Sequence, residues 1–460
     1  MKKGRDKRKI KDMKRKILWI VCGLIAIHLL ILANLSFTAW PEMLAWPYFI
    51  LKGWLPYKDF AIVHTPLLVL DISIFYKIFG VGGMQLKIYT WLLIALTDVV
   101  LVYVVKKLWS LRAAVFSLLI YIPLQIFYDG NGIWFDYALS VLALTILYLL
   151  IVKKYLWAGI VWGLAFLTKQ TAVWFLLPIS LVLLGEEFSK KAKKFLSGTV
   201  GILAGAVFVL WLFKVLPDFY FWAIKFGIGI LPRASGQIDP PTLREFLKAF
   251  LPFSILIPAL VKDWKKYFPF AIWAGFGIMG AYPRWELFHF QPGLPFLAIA
   301  SGLFLLEYPK SSRAIKLLTF LYIAGFLIMF SKYAVSLWHQ PDRFLTPSVA
   351  RVAQTIKTTT KSNEKIFVLN SWDSLYALAD RLPATKPWYP QLAWYYAVGG
   401  LEDKVTEDLM VEPPSVVIMQ PYTTTGLSSF KPKKVTDYVF KYYASAYVID
   451  NSFFILTPNK

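Results

Sequence analysis

Residues 155–184 read YLWAGIVWGLAFLTKQTAVWFLLPISLVLL, an apolar run in which Lys169 is the only charged side chain. The run is longer than the roughly 20 residues with which one helix crosses a bilayer. A single helix here would place the basic cluster at residues 190–194 on the opposite side of the membrane from the earlier clusters. Two short helices that meet at Lys169 keep all the basic clusters on one side. We therefore predict a broken helix pair at Lys169, whose short halves line a protein-walled cavity.

The composition of the whole chain indicates a membrane protein. Of its 460 residues, 58% are hydrophobic and 17% are charged, and the mean hydropathy is +0.55. Soluble domains are about 45–50% apolar and about 25% charged. A soluble enzyme, a disordered chain and a fibrous protein are therefore excluded. The single cysteine, Cys22, excludes an internal disulfide, and the four histidines lie too far apart in sequence to indicate a zinc site.

The net charge of +23 is distributed in short clusters between the apolar runs and does not follow one basic face. Retention of lysine and arginine on the cytoplasmic side of a membrane explains this pattern, so we expect contact with membrane lipids and no nucleic-acid partner. The N-terminus is accordingly placed in the cytoplasm. The clusters lie at residues 2–16, 106–112, 153–154, 190–194, 262–266 and 310–316.

The apolar runs predict an α-helical polytopic fold with about 11 transmembrane segments. A basic cytoplasmic leader, residues 1–16, precedes the first run, 17–39, which is longer than the about 7–15 apolar residues of a signal peptide. Residues 17–338 form the predicted transmembrane domain, with a first outer loop at 40–84. Besides the two halves of 155–184, the further runs are 85–105, 113–128, 137–152, 197–216, 246–261, 267–282, 290–306 and 315–334.

The C-terminal residues 339–460 have a different sequence pattern and are predicted to form a small α/β domain outside the membrane. Short strings rich in β-branched and aromatic residues alternate with helix-like stretches. The predicted strands are 365–370, 415–420, 446–449 and 453–457, and the clearest predicted helices are 348–357 and 402–410.

The first outer loop contains the string GWLPYKDFAIVHTP at residues 53–66. Apolar stretches at 41–52 and 67–79 flank it and are predicted to lie as helices along the outer membrane surface. Asp59 is the one carboxylate between Glu42 and Asp71. It can be a functional carboxylate or a turn or helix-capping aspartate, and the residues alone leave both interpretations open.

This string resembles the first-loop signature of GT-C type polyprenyl-phosphate-sugar-dependent glycosyltransferases, which include protein O-mannosyltransferases and lipid A aminoarabinose transferases. Residues 163–170, GLAFLTKQ, are similar to a family stretch between two short helices, and 282–289, YPRWELFH, resemble its basic-aromatic loop. The resemblance covers roughly residues 17–335 and is strongest over 50–170.

The resemblance implies that Asp59 is the catalytic carboxylate at an outward-facing site, with Tyr57, Lys58 and His64 as its neighbours. Asp129 and Asp136, in the second outer loop, are alternative second carboxylates. Some relatives carry adjacent Asp-Glu residues in the first loop, whereas Phe60 follows Asp59 here. A divalent metal therefore stays open as a cofactor.

Lys169, Arg284 and His289 are predicted to bind the donor phosphate, since cationic and hydrogen-bonding groups stabilise a leaving phosphate. Arg284 could instead extend its charged end to the membrane interface, and His289 could be a structural residue at a helix start. Glu286 is expected to pair with a basic neighbour.

The predicted function is the transfer of a sugar from a polyprenyl-phosphate-linked donor to a lipid, glycan or protein acceptor. The reaction would take place on the outer face of the cytoplasmic membrane. The alternatives are a lipid-linked sugar or polysaccharide transporter without transfer activity, and an inactive scaffold for the outer domain. A transporter would be expected to show repeated halves, and the sequence shows no internal repeat.

Overall fold

A computed structural model describes residues 2–234, 238–390, 395–425 and 431–459, with side chains described from residue 16 onward except at 310, 397, 424 and 425. The chain divides into two compact units, and each combines segments that are far apart in sequence. The first unit contains the residues up to Ser36, Thr90–Gly205 and Pro240–Gln340. The second contains Phe37–Tyr89, Ala206–Asp239 and the residues from Pro341 onward.

The fold is mainly helical, as the sequence predicts. Of the described helices, five are apolar and long enough to cross a membrane, and four further apolar helices are shorter. The chain is therefore a multi-pass membrane protein, while the number of segments that cross stays a prediction. The helices up to residue 337 are α1 (Lys2–Asn34), α2 (Pro41–Leu51), α3 (Leu67–Phe79), α4 (Gly83–Leu108), α5 (Leu111–Phe127), α6 (Phe135–Ile151), α7 (Tyr155–Thr168), α8 (Leu176–Leu183), α9 (Phe188–Leu212), α10 (Leu216–Phe219), α11 (Leu243–Phe250), α12 (Leu256–Lys262), α13 (Trp264–Gly277), α14 (Leu294–Glu307) and α15 (Arg313–Leu337).

The predicted break at Lys169 is confirmed. Helix α7 ends at Thr168, and Lys169 has an extended backbone with φ −154° and ψ 136°. A 3₁₀ turn, Gln170–Phe175, then leads into α8. The indole N–H of Trp162 donates to the Ala172 carbonyl across the break at 3.0 Å, so the interruption is internally hydrogen-bonded.

Two predicted segments differ from the helices of the structure. Helix α9 begins at Phe188, nine residues before the predicted start at 197, because the basic cluster at its N-terminus is itself helical. The predicted segment 246–261 is interrupted by a 3₁₀ turn at Leu251–Ile255. This turn contains Pro252, which has no backbone N–H to continue an α-helical ladder.

Helices α7 and α9 pack closely through glycines. A Cβ on Gly159 would lie 1.9 Å from the Phe195 carbonyl oxygen, and a Cβ on Gly198 would lie 2.1 Å from that of Leu156. Only a residue without a side chain allows this approach, which is typical of helix packing in membranes. The contact fixes one half of the broken pair against a long helix.

We predict that Gly198→Ala lowers the thermal unfolding midpoint of the purified protein. Overpacking of this kind costs about 1–3 kcal/mol. Gly201 is the matched control on the same helix, because a Cβ there would meet no atom within 4 Å. Gly201→Ala should leave the midpoint unchanged or raise it slightly, and equal effects of the two changes would contradict the close packing of α7 on α9.

The first outer loop forms the two flanking helices at the positions predicted for them, α2 and α3. The Tyr76 hydroxyl donates to the Met43 carbonyl at 3.2 Å and joins the two helices. Both belong to the second unit, which also contains the C-terminal region. This grouping differs from the domain boundaries expected from the sequence, which attach the loop to the membrane segments.

Among the described residues of the C-terminal region, four strands form one mixed sheet with the order β1-β2-β4-β3. Strands β1 and β2 are parallel, and the other neighbouring pairs are antiparallel. All four strands fall where the sequence predicts them. They are β1 (Ile366–Leu369), β2 (Val416–Met419), β3 (Tyr443–Ile449) and β4 (Phe453–Pro458), accompanied by α16 (Pro347–Thr359), α17 (Ser374–Ala379), α18 (Leu401–Val411), α19 (Tyr422–Thr425) and α20 (Lys433–Tyr442).

Candidate active site

Three polar side chains of the first unit meet in its interior: Asp136, Lys169 and His289. The Lys169 Nζ lies 2.5 Å from Asp136 Oδ2 and 3.1 Å from His289 Nδ1. His289 Nδ1 is also 2.9 Å from Asp136 Oδ2. Asp136 is 1% exposed and Lys169 3%. The structure therefore brings together three of the residues selected from the sequence, in one buried ion cluster.

Each member of this cluster is placed by an irregular or terminal part of the backbone. Asp136 lies in the first turn of α6, where the helix dipole favours a negative charge. Lys169 occupies the break after α7, and His289 lies in the 3₁₀ turn Leu287–Gly293 before α14. A charge this deeply buried requires a partner, and the carboxylate and the ammonium group provide one for each other.

The other carboxylate oxygen of Asp136, Oδ1, takes no part in the contacts with Lys169 and His289. Asp136 Oδ1 is buried and finds no hydrogen-bond partner among the described residues, and the same is true of the Thr171 hydroxyl. A Cβ on Gly280 would lie 3.4 Å from Asp136 Oδ1 and 3.7 Å from Thr171 Oγ1. A carboxylate oxygen and a hydroxyl group thus lie beside a residue without a side chain.

Asp129, the other second-loop carboxylate, lies outside the ion cluster. Its Oδ1 accepts a hydrogen bond from the Tyr333 hydroxyl at 2.7 Å, and the Tyr137 hydroxyl donates to its carbonyl. Its backbone has φ +52°, a left-handed conformation that aspartate tolerates better than most residues. These contacts fit a structural role for Asp129, and Asp136 is the second-loop carboxylate in contact with Lys169 and His289.

The second outer loop is held by a buried polar network that the sequence analysis missed. His28 places Nδ1 2.9 Å from Asp98 Oδ2 and Nε2 3.0 Å from Gln125 Oε1. The Gln125 amide in turn donates to the Gly130 carbonyl at 2.8 Å. The signal was available, because polar side chains inside apolar runs are costly and usually have a purpose.

Close packing and a second anchor complete the support of this loop. A Cβ on Gly130 would lie 1.9 Å from the Gln125 carbonyl oxygen, so the loop can fold back only at a glycine. The Asn131 amide donates to carbonyls at the end of α1, those of Leu32 and Leu35, at 2.9 and 2.8 Å. The loop that leads to Asp136 at the start of α6 is therefore attached to α1 and α5.

Arg284 and Glu286 form the expected ion pair, with Arg284 Nε 3.4 Å from Glu286 Oε1. The Arg284 side chain is 37% exposed, in contrast to buried Lys169. Arg284 precedes His289 by five residues, in the stretch between α13 and α14. All three predicted phosphate-binding residues belong to the first unit, and Lys169 and His289 are in direct contact.

Asp59 lies in the second unit and closes a tight turn. The Leu55 N–H donates to Asp59 Oδ2 at 2.9 Å, and the Asp59 N–H donates to the Leu55 carbonyl at the same distance. Asp59 therefore has the turn role that was one of the two interpretations left open by the sequence. The side chain is only 15% exposed, and its Oδ1 receives no hydrogen bond from the described residues.

The predicted neighbours of Asp59 differ in their environments. Tyr57 is buried and has φ +70°, a conformation that strains a bulky residue and often accompanies functional sites. Its hydroxyl donates to the His64 carbonyl at 2.9 Å and so connects the two ends of the loop. Lys58 is exposed, and His64 is half-buried.

A family model for dolichyl-phosphate-mannose-protein mannosyltransferases matches residues 63–213. A search of curated proteins finds no matching sequence. Among solved structures, ArnT from Cupriavidus metallidurans in the apo state has a TM-score of 0.64 at 14% identity, covering 97% of this chain and 98% of that one. The same protein bound to undecaprenyl phosphate gives a TM-score of 0.61 at 14% identity, covering 95% and 97%.

The Archaeoglobus fulgidus oligosaccharyltransferase, tethered to an acceptor peptide, gives a TM-score of 0.55 at 12% identity and covers 96% of this chain and 74% of that one. The chain therefore has the fold that ArnT and the archaeal oligosaccharyltransferase share. The resemblance of the sequence to the polyprenyl-phosphate-sugar-dependent GT-C glycosyltransferases is confirmed.

The described residues contain no group of three or more His, Cys, Asp or Glu side chains that could hold a metal ion. Asp136 and His289 are close to each other, but the ammonium group of Lys169 lies within 3.1 Å of both and would repel a cation. This donor set does not fit a divalent metal.

We predict that Lys169→Met destabilises the protein strongly, because it leaves the Asp136 carboxylate buried without a cation. Removal of one partner of a buried pair costs about 3–5 kcal/mol. The double variant Lys169→Met/Asp136→Asn should unfold at a higher temperature than Lys169→Met alone. Lys190→Met, which breaks an exposed pair with Glu187, is the control and should not shift the midpoint. A Lys169→Met midpoint equal to that of the wild type would disprove the pairing.

Proposed function

We propose that the protein is an integral-membrane glycosyltransferase that moves a sugar from a polyprenyl-phosphate-linked donor to a lipid, glycan or protein acceptor. The observation that carries the proposal is the buried Asp136–Lys169–His289 cluster at a helix break within a GT-C fold. Solved structures of the same fold hold undecaprenyl phosphate in ArnT and dolichol-phosphate in the archaeal oligosaccharyltransferase. The basic clusters support a cytoplasmic N-terminus and a reaction on the outer face of the cytoplasmic membrane.

The donor phosphate is assigned to Lys169, Arg284 and His289. A lysine ammonium group has three N–H donors, and the contacts to Asp136 and His289 use at most two of them. The third is available to a phosphate oxygen. Arg284, more exposed and held by Glu286, supplies planar donors suited to the same group. In this arrangement Asp136 holds the lysine ammonium group in place.

Asp59 is assigned as the general base that accepts the proton of the acceptor hydroxyl. Its Oδ2 is occupied by the Leu55 N–H, which fixes the orientation of the carboxylate. Oδ1 is then the oxygen that can accept the proton. Tyr57, Lys58 and His64 shape the loop around it, and no step is routed through a metal.

The assignment of Asp59 predicts that Asp59→Asn lowers sugar transfer by at least about 100-fold, since general-base catalysis contributes about 10²- to 10⁴-fold. Asparagine can still accept the Leu55 N–H, so the thermal unfolding midpoint should stay close to that of the wild type. The measurement is transfer from a panel of polyprenyl-phosphate sugars by the purified protein. Near-normal turnover of the variant would refute the assignment. Absence of transfer by the wild type from every donor would favour a transporter.

The assignment of Arg284 predicts a weaker interaction with the lipid-phosphate donor in Arg284→Met. A hydrogen bond to a charged group contributes about 1.5–3 kcal/mol, which corresponds to roughly a 10- to 150-fold loss of affinity. Arg313→Met is the control, because Arg313 is an exposed arginine at the start of α15. Donor binding can be measured by titration with polyprenyl phosphate. Equal affinities of Arg284→Met and Arg313→Met for polyprenyl phosphate would contradict the assignment and favour an interfacial role for Arg284.

A further inference from the structure

We propose that Lys386, in the C-terminal region, is a positioning residue for the carboxylate of Asp59. This inference rests on the proposed function, because it assigns a partner to the proposed base. It gives the C-terminal region a part in catalysis that the sequence did not suggest. The residues concerned all belong to the second unit.

The first observation is a backbone connection between residues 386–388 and the first outer loop. The Trp388 N–H donates to the Asp59 carbonyl at 2.9 Å, and the Ala61 N–H donates to the Trp388 carbonyl at 3.0 Å. These bonds form a short parallel bridge between Phe60 and Trp388. The backbone of the proposed base is thereby attached directly to the C-terminal region.

The second observation is the burial of the residue that forms this bridge. The Trp388 side chain is fully buried and packs edge-on against Phe49 of α2, with ring centroids 5.1 Å apart. It also lies 6.0 Å from the Tyr376 ring of α17. A buried tryptophan with two aromatic neighbours is a strong apolar anchor, so the position of residue 386 relative to Asp59 is determined by the core of this unit.

The third observation concerns the charge that this anchor places on Asp59. Lys386 Nζ lies 3.4 Å from Asp59 Oδ2, the oxygen that also accepts the Leu55 N–H. The ammonium group lies over the Trp54 ring, 5.1 Å from its centroid. The Leu55 N–H and the Lys386 ammonium group therefore both lie at Oδ2, and Oδ1 accepts no hydrogen bond from the described residues. Lys386 is 47% exposed, and ion pairs this exposed contribute little to stability.

In the proposed reaction, the acceptor hydroxyl oxygen bonds to the anomeric carbon as the bond from that carbon to the phosphate oxygen breaks. The hydroxyl proton moves to Asp59 Oδ1, and the lipid phosphate leaves with the electron pair of the broken bond. Lys386 takes no part in bond formation. It keeps Oδ2 in place, so that Oδ1 stays aligned with the proton it accepts, an alignment on which rates depend steeply.

The test uses the purified full-length chain and compares Lys386→Met with Lys386→Arg. The methionine variant should lower kcat by about 10- to 100-fold, with the KM of donor and acceptor changed by less than about threefold if the role is positioning alone. The arginine variant keeps the charge and should recover most of the loss. Lys434→Met is the matched control, since Lys434 forms an exposed pair with Asp403 elsewhere in the same region. It should leave kcat unchanged.

A double variant separates action through Asp59 from a general effect on the fold. When Lys386 acts through this carboxylate, adding Lys386→Met to Asp59→Asn lowers the residual transfer no further. A full additional loss in the double variant, or a normal kcat in Lys386→Met while Asp59→Asn is impaired, overturns the inference and leaves the proposed function intact. A wild-type chain without transfer activity overturns the proposed function itself.

Discussion

The interaction between Asp136 and Lys169 is the constraint on which the membrane-embedded part of this molecule depends. A lysine in the middle of a 30-residue apolar run cannot remain charged there without a partner, and a carboxylate at the start of α6 provides it. Together with His289, the pair joins α6, the break after α7 and the turn before α14, three places where the backbone is irregular or ends. These contacts hold the interrupted helix in place and keep the lysine inside the first unit.

The second unit is held together by contacts over a long distance in sequence. Its first outer loop packs against residues that follow it by about 300 positions. Lys52, at the end of α2, lies 2.7 Å from Asp380, and the Tyr48 hydroxyl donates to the same carboxylate at 3.0 Å. The hydrogen bond from Lys52 is the main cause of the lowered pKa of the Asp380 carboxyl. The first outer loop is thus connected to the C-terminal region in two ways: by polar contacts at the end of α2, and by the aromatic contacts of Trp388.

The sequence was sufficient to predict features that depend on local patterns. The break at Lys169, the helices α2 and α3, and the four strands follow from apolar periodicity and from the charge rule, which act over a few residues. The pairing of Asp136 with Lys169, 33 residues away, and of Asp59 with Lys386 could not be predicted. Such pairs depend on three-dimensional packing, and nothing in the spacing of the residues selects one partner over another. For the same reason the sequence could not select between Asp129 and Asp136, since both are acidic residues of one short loop.

The contact between His28 and Asp98 has a consequence for biogenesis. Both ring nitrogens of His28 lie within hydrogen-bond distance of oxygen atoms, those of Asp98 and Gln125. Helices α1 and α4 thus bring polar side chains together inside apolar runs, and an aspartate at the centre of a transmembrane helix costs about 2.5–3.5 kcal/mol to insert alone. The two polar groups satisfy each other only when the helices are paired. We therefore expect α1 and α4 to enter the lipid phase together, after α4 has been synthesised.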